Sequence, residues 1–146
     1  MVEGGEPAEV ELGGVATSPI VLPLCTLYLA SPGPGILATH VEGMGSLQMV
    51  KRVVAFGDEL IRTHPPIQIF HDFRGVTGYR ADARKELVDW GVRNPNAIAM
   101  TNVLFRSKVV AMGVTLATAL LGDRLTGYSK HALFEAALMK AVRDAR

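Results

Sequence analysis

The side chains in this sequence that can do chemistry are few and scattered. His40 and His71 fall in stretches that read as strands able to approach each other, and Asp72 follows His71 directly. The chemistry to weigh there is an imidazole–carboxylate acid–base pair or a metal site. Strand alternation speaks against both. Neighbours in a regular strand point to opposite faces, so Asp72 faces away from His71. His64 and His131 stand apart, and no HxH, HExxH or His/Cys spacing occurs. The histidines are therefore read as structural, and no metal, cofactor or catalytic residue is assigned. Cys25 sits beside Leu27 and Leu29 with no basic neighbour to lower its pKa, so it reads as a small buried hydrophobe. As the one cysteine, it excludes an intrachain disulfide and a Cys-rich zinc site.

Gly33, Gly35, Gly43 and Gly45 do not make a phosphate loop. Gly43-Met-Gly45 precedes a helical pattern, but the third glycine, the lysine and the acidic ribose contact are missing, so a tight turn is the better reading. Asp72 closes an apolar strand and has two readings. It accepts hydrogen bonds from the backbone of the turn that follows, or it serves as a general base in a crevice at the strand's carboxyl end. The first is preferred. Arg74, Arg80, Arg84 and Lys85 gather just beyond it, with Arg80 and Arg84 one helical turn apart. They read as a solvated helix face, or as the polar rim of a partner surface with Tyr79 as its aromatic anchor.

Composition narrows the function classes. Fifteen basic against fourteen acidic residues leave a net charge of +1, so no basic field points to nucleic acid. Hydrophobic residues make up 49% and charged residues 20% of the 146, which suits one globular domain. The start of the chain is acidic and Gly-rich without the basic stretch of a signal peptide. The longest apolar run, residues 109–122, is shorter than the ~20 residues a membrane span needs. A cytoplasmic location is expected.

The elements that position these residues are legible from periodicity. Residues 1–18 read as a flexible tail and 19–146 as the domain. Residues 20–22 and 24–30, interrupted by Pro23, and residues 36–41 alternate as strands. The Ser31-Pro-Gly-Pro-Gly35 turn joins the last two into an antiparallel hairpin. Ser46 caps a helix whose Leu47, Val50, Val53, Val54, Leu60 and Ile61 form one apolar stripe, and His64-Pro-Pro66 stops it. Residues 67–73 are apolar almost throughout, as in a strand covered on both faces. A second helix spans about 80–92, a strand 97–105, a third helix capped by Ser107 runs to about 121, a short strand covers 125–128, and Ser129 caps a fourth helix. The order ββ-α-β-α-β-α-β-α implies right-handed crossovers and a largely parallel sheet.

This order, together with Ile69-Phe-His-Asp-Phe-Arg-Gly-Val-Thr-Gly-Tyr79, resembles the STAS-like family (sulfate transporter and anti-sigma-factor antagonist). Asp72, Gly75, Val76 and Thr77 stand where that family has a strand-ending Asp and a small-residue turn with a hydroxyl. The resemblance runs by pattern from about Pro19 to Arg143. It implies an α/β fold with a mixed, mostly parallel β-sheet, an N-terminal β-hairpin and four α-helices. It also implies a non-catalytic regulatory domain that binds a protein partner, in bacterial-type signalling. The family's regulated members carry a phosphorylatable Ser or Thr at the start of the next helix, behind an Asp. Here Ala81 takes that place and Arg80 the place of the Asp, and neither Asp82 nor Ala83 has a hydroxyl. The switch is therefore expected to be absent. The partner-binding loop is placed on Asp72, Arg74, Thr77, Tyr79, Arg80, Asp82 and Arg84.

The third helix is apolar all round, with no charge between Val109 and Leu121. A crossover helix needs only one buried stripe, so its other side is expected to meet a second copy. Val109, Met112, Leu116 and Leu120 are the expected homodimer contact. The alternative is a small enzyme or small-ligand-binding domain using the crevice around Asp72, Thr77 and Tyr79. Membrane-surface binding ranks lower, because this helix lacks a Lys/Arg-rich face.

Overall fold

Residues 7–146 are described by the computed structural model, and the first six residues of the expected tail lie outside them. Beyond those, the tail reading is corrected. Strands β1 (Val10–Leu12) and β2 (Val15–Thr17) pair antiparallel across Gly13-Gly14. Both glycines hold positive φ, 60° and 90°, which suits a two-residue hairpin turn. The hairpin is seated on the domain. Leu12 clusters with Tyr28, Ala30 and Ala38, and the Tyr28 hydroxyl donates to the Ala8 carbonyl at 2.8 Å.

The main sheet has six strands in the order β3 (Ile20–Val21), β4 (Cys25–Ala30), β5 (Ile36–Gly45), β6 (Ile67–Tyr79), β7 (Ile98–Leu104) and β8 (Leu125–Tyr128), one more than expected. The extra strand is the piece before Pro23, which folds back antiparallel on β4 instead of extending it. The pair β4–β5 is the expected antiparallel hairpin, and β5 to β8 run parallel. Helices α1 (Leu47–Thr63), α2 (Ala81–Arg93) and α3 (Lys108–Leu121) connect the parallel strands. The sheet grows in one direction, so right-handed crossovers put all three helices on the same face. There Val50, Val53, Trp90 and Val110 pack on Leu27, Leu37 and Ile69. Helix α4 (His131–Asp144) follows the last strand and covers the other face, where Phe134, Leu138 and Val142 meet Ile36, Phe70 and Leu104.

Two of the expected caps are present as hydrogen bonds. Ser46 Oγ accepts from the Met49 amide at 3.1 Å, and Ser107 Oγ from the Val110 amide at 3.2 Å. Ser129 does not cap α4. The cap position belongs to Lys130, and Ser129 stands one residue too early.

The turn expected after Asp72 is also corrected, because β6 continues to Tyr79. Its glycines serve the strand pairing. The register slips between His40 and Glu42 and again between Gly43 and Met44, so β6 bulges twice against β5. A Cβ on Gly75 would stand 2.9 Å from Glu42 Cγ, so only glycine permits this approach. Gly43 holds φ at 113°, with Leu24 O 2.7 Å from where its Cβ would be.

Candidate functional site

Parallel pairing of β5 with β6 sets Thr39 beside His71 and His40 beside Asp72. Paired residues share a face, so the two histidines project to opposite sides of the sheet and do not meet. Each has its own chemistry.

On the α4 side, His40 Nδ1 lies 3.0 Å from Asp72 Oδ2 and its Nε2 lies 2.8 Å from Glu42 Oε2. Flanked by two carboxylates, the imidazole keeps its proton to higher pH than usual, and as a cation it donates from both nitrogens. Asp72 also accepts from the Arg74 guanidinium, Nε at 3.0 Å and Nη2 at 2.8 Å, and from the Arg74 amide at 3.2 Å. Burial alone would push the Asp72 carboxyl up, but His40 and Arg74 outweigh it and hold it well below the usual carboxylate range. Both partners of a would-be acid–base pair are thus occupied. While charged, His40 has no lone pair free to take a proton, and both Asp72 oxygens face His40 or Arg74.

On the other face, α1, α2 and α3 leave a cavity of about 110 Å³ over β6 and β7. Its walls are apolar, Val50, Ile69, Val103, Val110 and Ala117 among them. His71 stands in it, 1% exposed, stacked on Phe73 with ring centroids 4.8 Å apart. Thr39 Oγ1 lies 2.8 Å from its Nδ1, while Nε2 has no hydrogen-bond partner among the described residues. Burial pushes its pKa down to about 3, so the ring is neutral at neutral pH. Tyr79 and Arg84, both half-buried, belong to the cavity wall. The Tyr79 ring lies against Gly113 of α3, where a Cβ would come within 2.9 Å of the phenol oxygen.

The seven residues placed on one partner-binding loop therefore stand apart. Asp72 and Arg74 face α4, Tyr79 and Arg84 face the cavity, and Thr77, Arg80 and Asp82 are exposed on the strand end and the start of α2. Tyr79 lines the cavity under α1, α2 and α3, Asp72 lines the pocket beside α4, and Thr77 lines neither. On α3, Val110 and Ala117 are buried, while Val109, Met112, Leu116 and Leu120 are 46%, 64%, 53% and 64% exposed. Residue reading missed the Thr39–His71 pair and the cavity. The signal available was a lone histidine inside the apolar run of β6.

The two histidines give folding an opposed pH dependence. Burial works against the His40 charge, but Asp72 and Glu42 overcome it and raise the pKa. Its stabilisation is complete below the unfolded value of ~6.5 and is lost as pH rises through the folded value. His71 has the depressed pKa, so stability is lost as pH falls from ~6.5 towards about 3. Urea midpoints are expected to peak near neutrality. His40→Asn should flatten the alkaline limb and His71→Asn the acid limb; unchanged limbs would contradict these assignments.

No protein-family model and no curated protein matches the sequence. Among solved structures, the chain is similar to an uncharacterised protein of the DUF3478 family from Shewanella loihica PV-4, described as having a SpoIIAA-like fold. The TM-score is 0.61 over 82% of this chain and 98% of that one. The fold is SpoIIAA-like. At 10% identity the likeness concerns architecture alone. A SpoIIAA-like fold is the STAS-like fold, so the element order and the stretch around Asp72 point to the architecture that is present. No helix among the described residues is long and apolar enough to cross a membrane.

Proposed function

We propose that this SpoIIAA-like domain is a non-catalytic interaction module that pairs with a second copy through α3 and offers the start of α2 to a protein partner. The observation that carries the reading is the exposed stripe of Val109, Met112, Leu116 and Leu120. Large apolar side chains contiguous on one helix face are uncommon on a soluble monomer, and each Å² left in water is unfavourable by ~25 cal/mol. The stripe carries no charge, so two copies related by a two-fold axis meet without like-charge contact.

The closed His40–Asp72–Arg74 network supports the non-catalytic part, since neither acid nor base is free there. Ala81, exposed at the first turn of α2, supports the absence of a phosphorylation switch, because a methyl group accepts no phosphate. Arg80 and Asp82 flank it in solvent and form the polar part of the partner surface.

Leu116→Lys places a charge at the centre of the pairing. It is expected to weaken self-association by roughly 3 kcal/mol, about 100-fold in Kd, with the urea midpoint of the fold kept. A variant that self-associates like the parent protein would refute the role of α3.

A further inference from the structure

We infer that the second copy seats its α3 in the groove between α2 and α3 of the first, and reciprocally, so that α2 supplies half of the pairing surface. The inference rests on self-association through α3 as proposed above, and adds where that helix docks.

The first observation is the direction of the apolar stripe. On α3, Gly113 lies against the Tyr79 ring of β6 and Val114 against Gly127 of β8. These strands stand on opposite sides of β7, and α2, which joins β6 to β7, lies on the β6 side. Residues advance ~100° each round a helix. Val109, Met112, Leu116 and Leu120 continue round from Gly113, away from Val114. The stripe therefore points up and towards α2, and not out over β8.

The second is the facing wall. Trp90 of α2 meets Gly57 of α1, and Gly91 meets Leu121 of α3. Val88 and Val92 continue round from Gly91, away from Trp90, and so face α3. Val92 is 45% exposed. Between the two walls the small residues Gly91, Gly113 and Ala117 line the half-open cavity below. Ridges of a further helix pack into such a furrow.

The third is charge and area. The charges around Val92 are already engaged. Lys85 pairs with Asp89 at 2.7 Å, Arg93 with Glu86 at 3.5 Å, and Arg124 donates to the Gly91 carbonyl at 3.0 Å. Arg84 stands two turns before Val92, ~12 Å along the axis. The groove at Val92 and Leu120 thus asks for an uncharged apolar helix, and α3 of a second copy is one. Stripe on stripe alone would engage four side chains a side, well short of the ~20–30 residues of a stable interface. Seating in the groove brings a second helix of each copy into the contact. α2 and α3 both run against the strands, so a two-fold axis along the groove keeps the second α3 parallel to them. It sets the second copy's Leu120 at the level of Val92.

The test is disulfide cross-linking of the full chain, with sedimentation beside it. Cys25 is buried, so introduced thiols report alone. Mixing Val92→Cys copies with Leu120→Cys copies is expected to give a linked pair under mild oxidation. Mixing Val109→Cys with Leu120→Cys, which would report two α3 helices stacked antiparallel, is expected to give none. Val92→Lys should raise the dimer Kd about tenfold or more. Where that variant fails to fold, the cross-links decide. A parent protein that pairs but forms no Val92–Leu120 link would overturn the groove while leaving self-association standing. A parent that sediments as one chain would overturn self-association itself, and the groove with it.

Discussion

Replacing Asp72 with alanine is expected to lower folding stability by about 3 kcal/mol. The carboxylate touches both other members of its network, His40 at 3.0 Å and Arg74 at 2.8 Å. Removing one member of a buried charged cluster leaves the others desolvated and unpaired, which typically costs ~3–5 kcal/mol. The lower end applies because the Arg74 side chain stays 29% exposed and can turn to water. The Arg74 amide also loses its acceptor at the first bulge of β6, so the pairing with β5 loosens there. Urea denaturation should show a lower midpoint with an unchanged slope, because the same surface is exposed on unfolding. The pKa of His40 should fall as well, with Glu42 left as its one carboxylate. An unchanged midpoint would mean that the network is solvated, and would reopen the case for Asp72 as a free base.

The second large effect is expected at the crossing of α1 and α2. Trp90 is 2% exposed, and its indole N–H donates to Asp58 Oδ1 at 2.8 Å. Its six-membered ring lies on Gly57, where a Cβ would come within 2.4 Å of a ring carbon. Trp90→Ala removes the largest buried side chain and should cost ~3–5 kcal/mol. Gly57→Ala forces the two helices apart or the ring off its rotamer, and should cost ~1–3 kcal/mol. The two changes should not add. With the indole gone, Gly57→Ala has nothing to strike and should cost almost nothing further, so a double-mutant cycle reads the contact directly. Full additivity would show that the helices do not meet here.

How far the sequence foretold this arrangement depends on where each cause lies in the chain. Ser46 and Ser107 were legible because a cap is satisfied within three residues of itself. The stripes of α1 and α4 and the apolar run of β6 were legible for the same reason, as local periodicity. Gly75 read as part of a turn because the residues that demand it, Val41 and Glu42, belong to the neighbouring strand. The pairs Thr39–His71 and His40–Asp72 each span 32 positions and appear only once the register of β5 on β6 is known. The hairpin of β1 and β2 had a signal in Gly13-Gly14 between two short apolar stretches, overshadowed by the acidic, Gly-rich composition around it.

Self-association through α3 is the centre of the functional account, and sedimentation velocity of the full chain from about one to a hundred micromolar tests it most directly. The account expects the weight-average mass to rise to twice that of one chain by tens of micromolar, with the Leu116→Lys variant remaining at the mass of one chain throughout. A parent protein that sediments as a single chain over the whole range would contradict it.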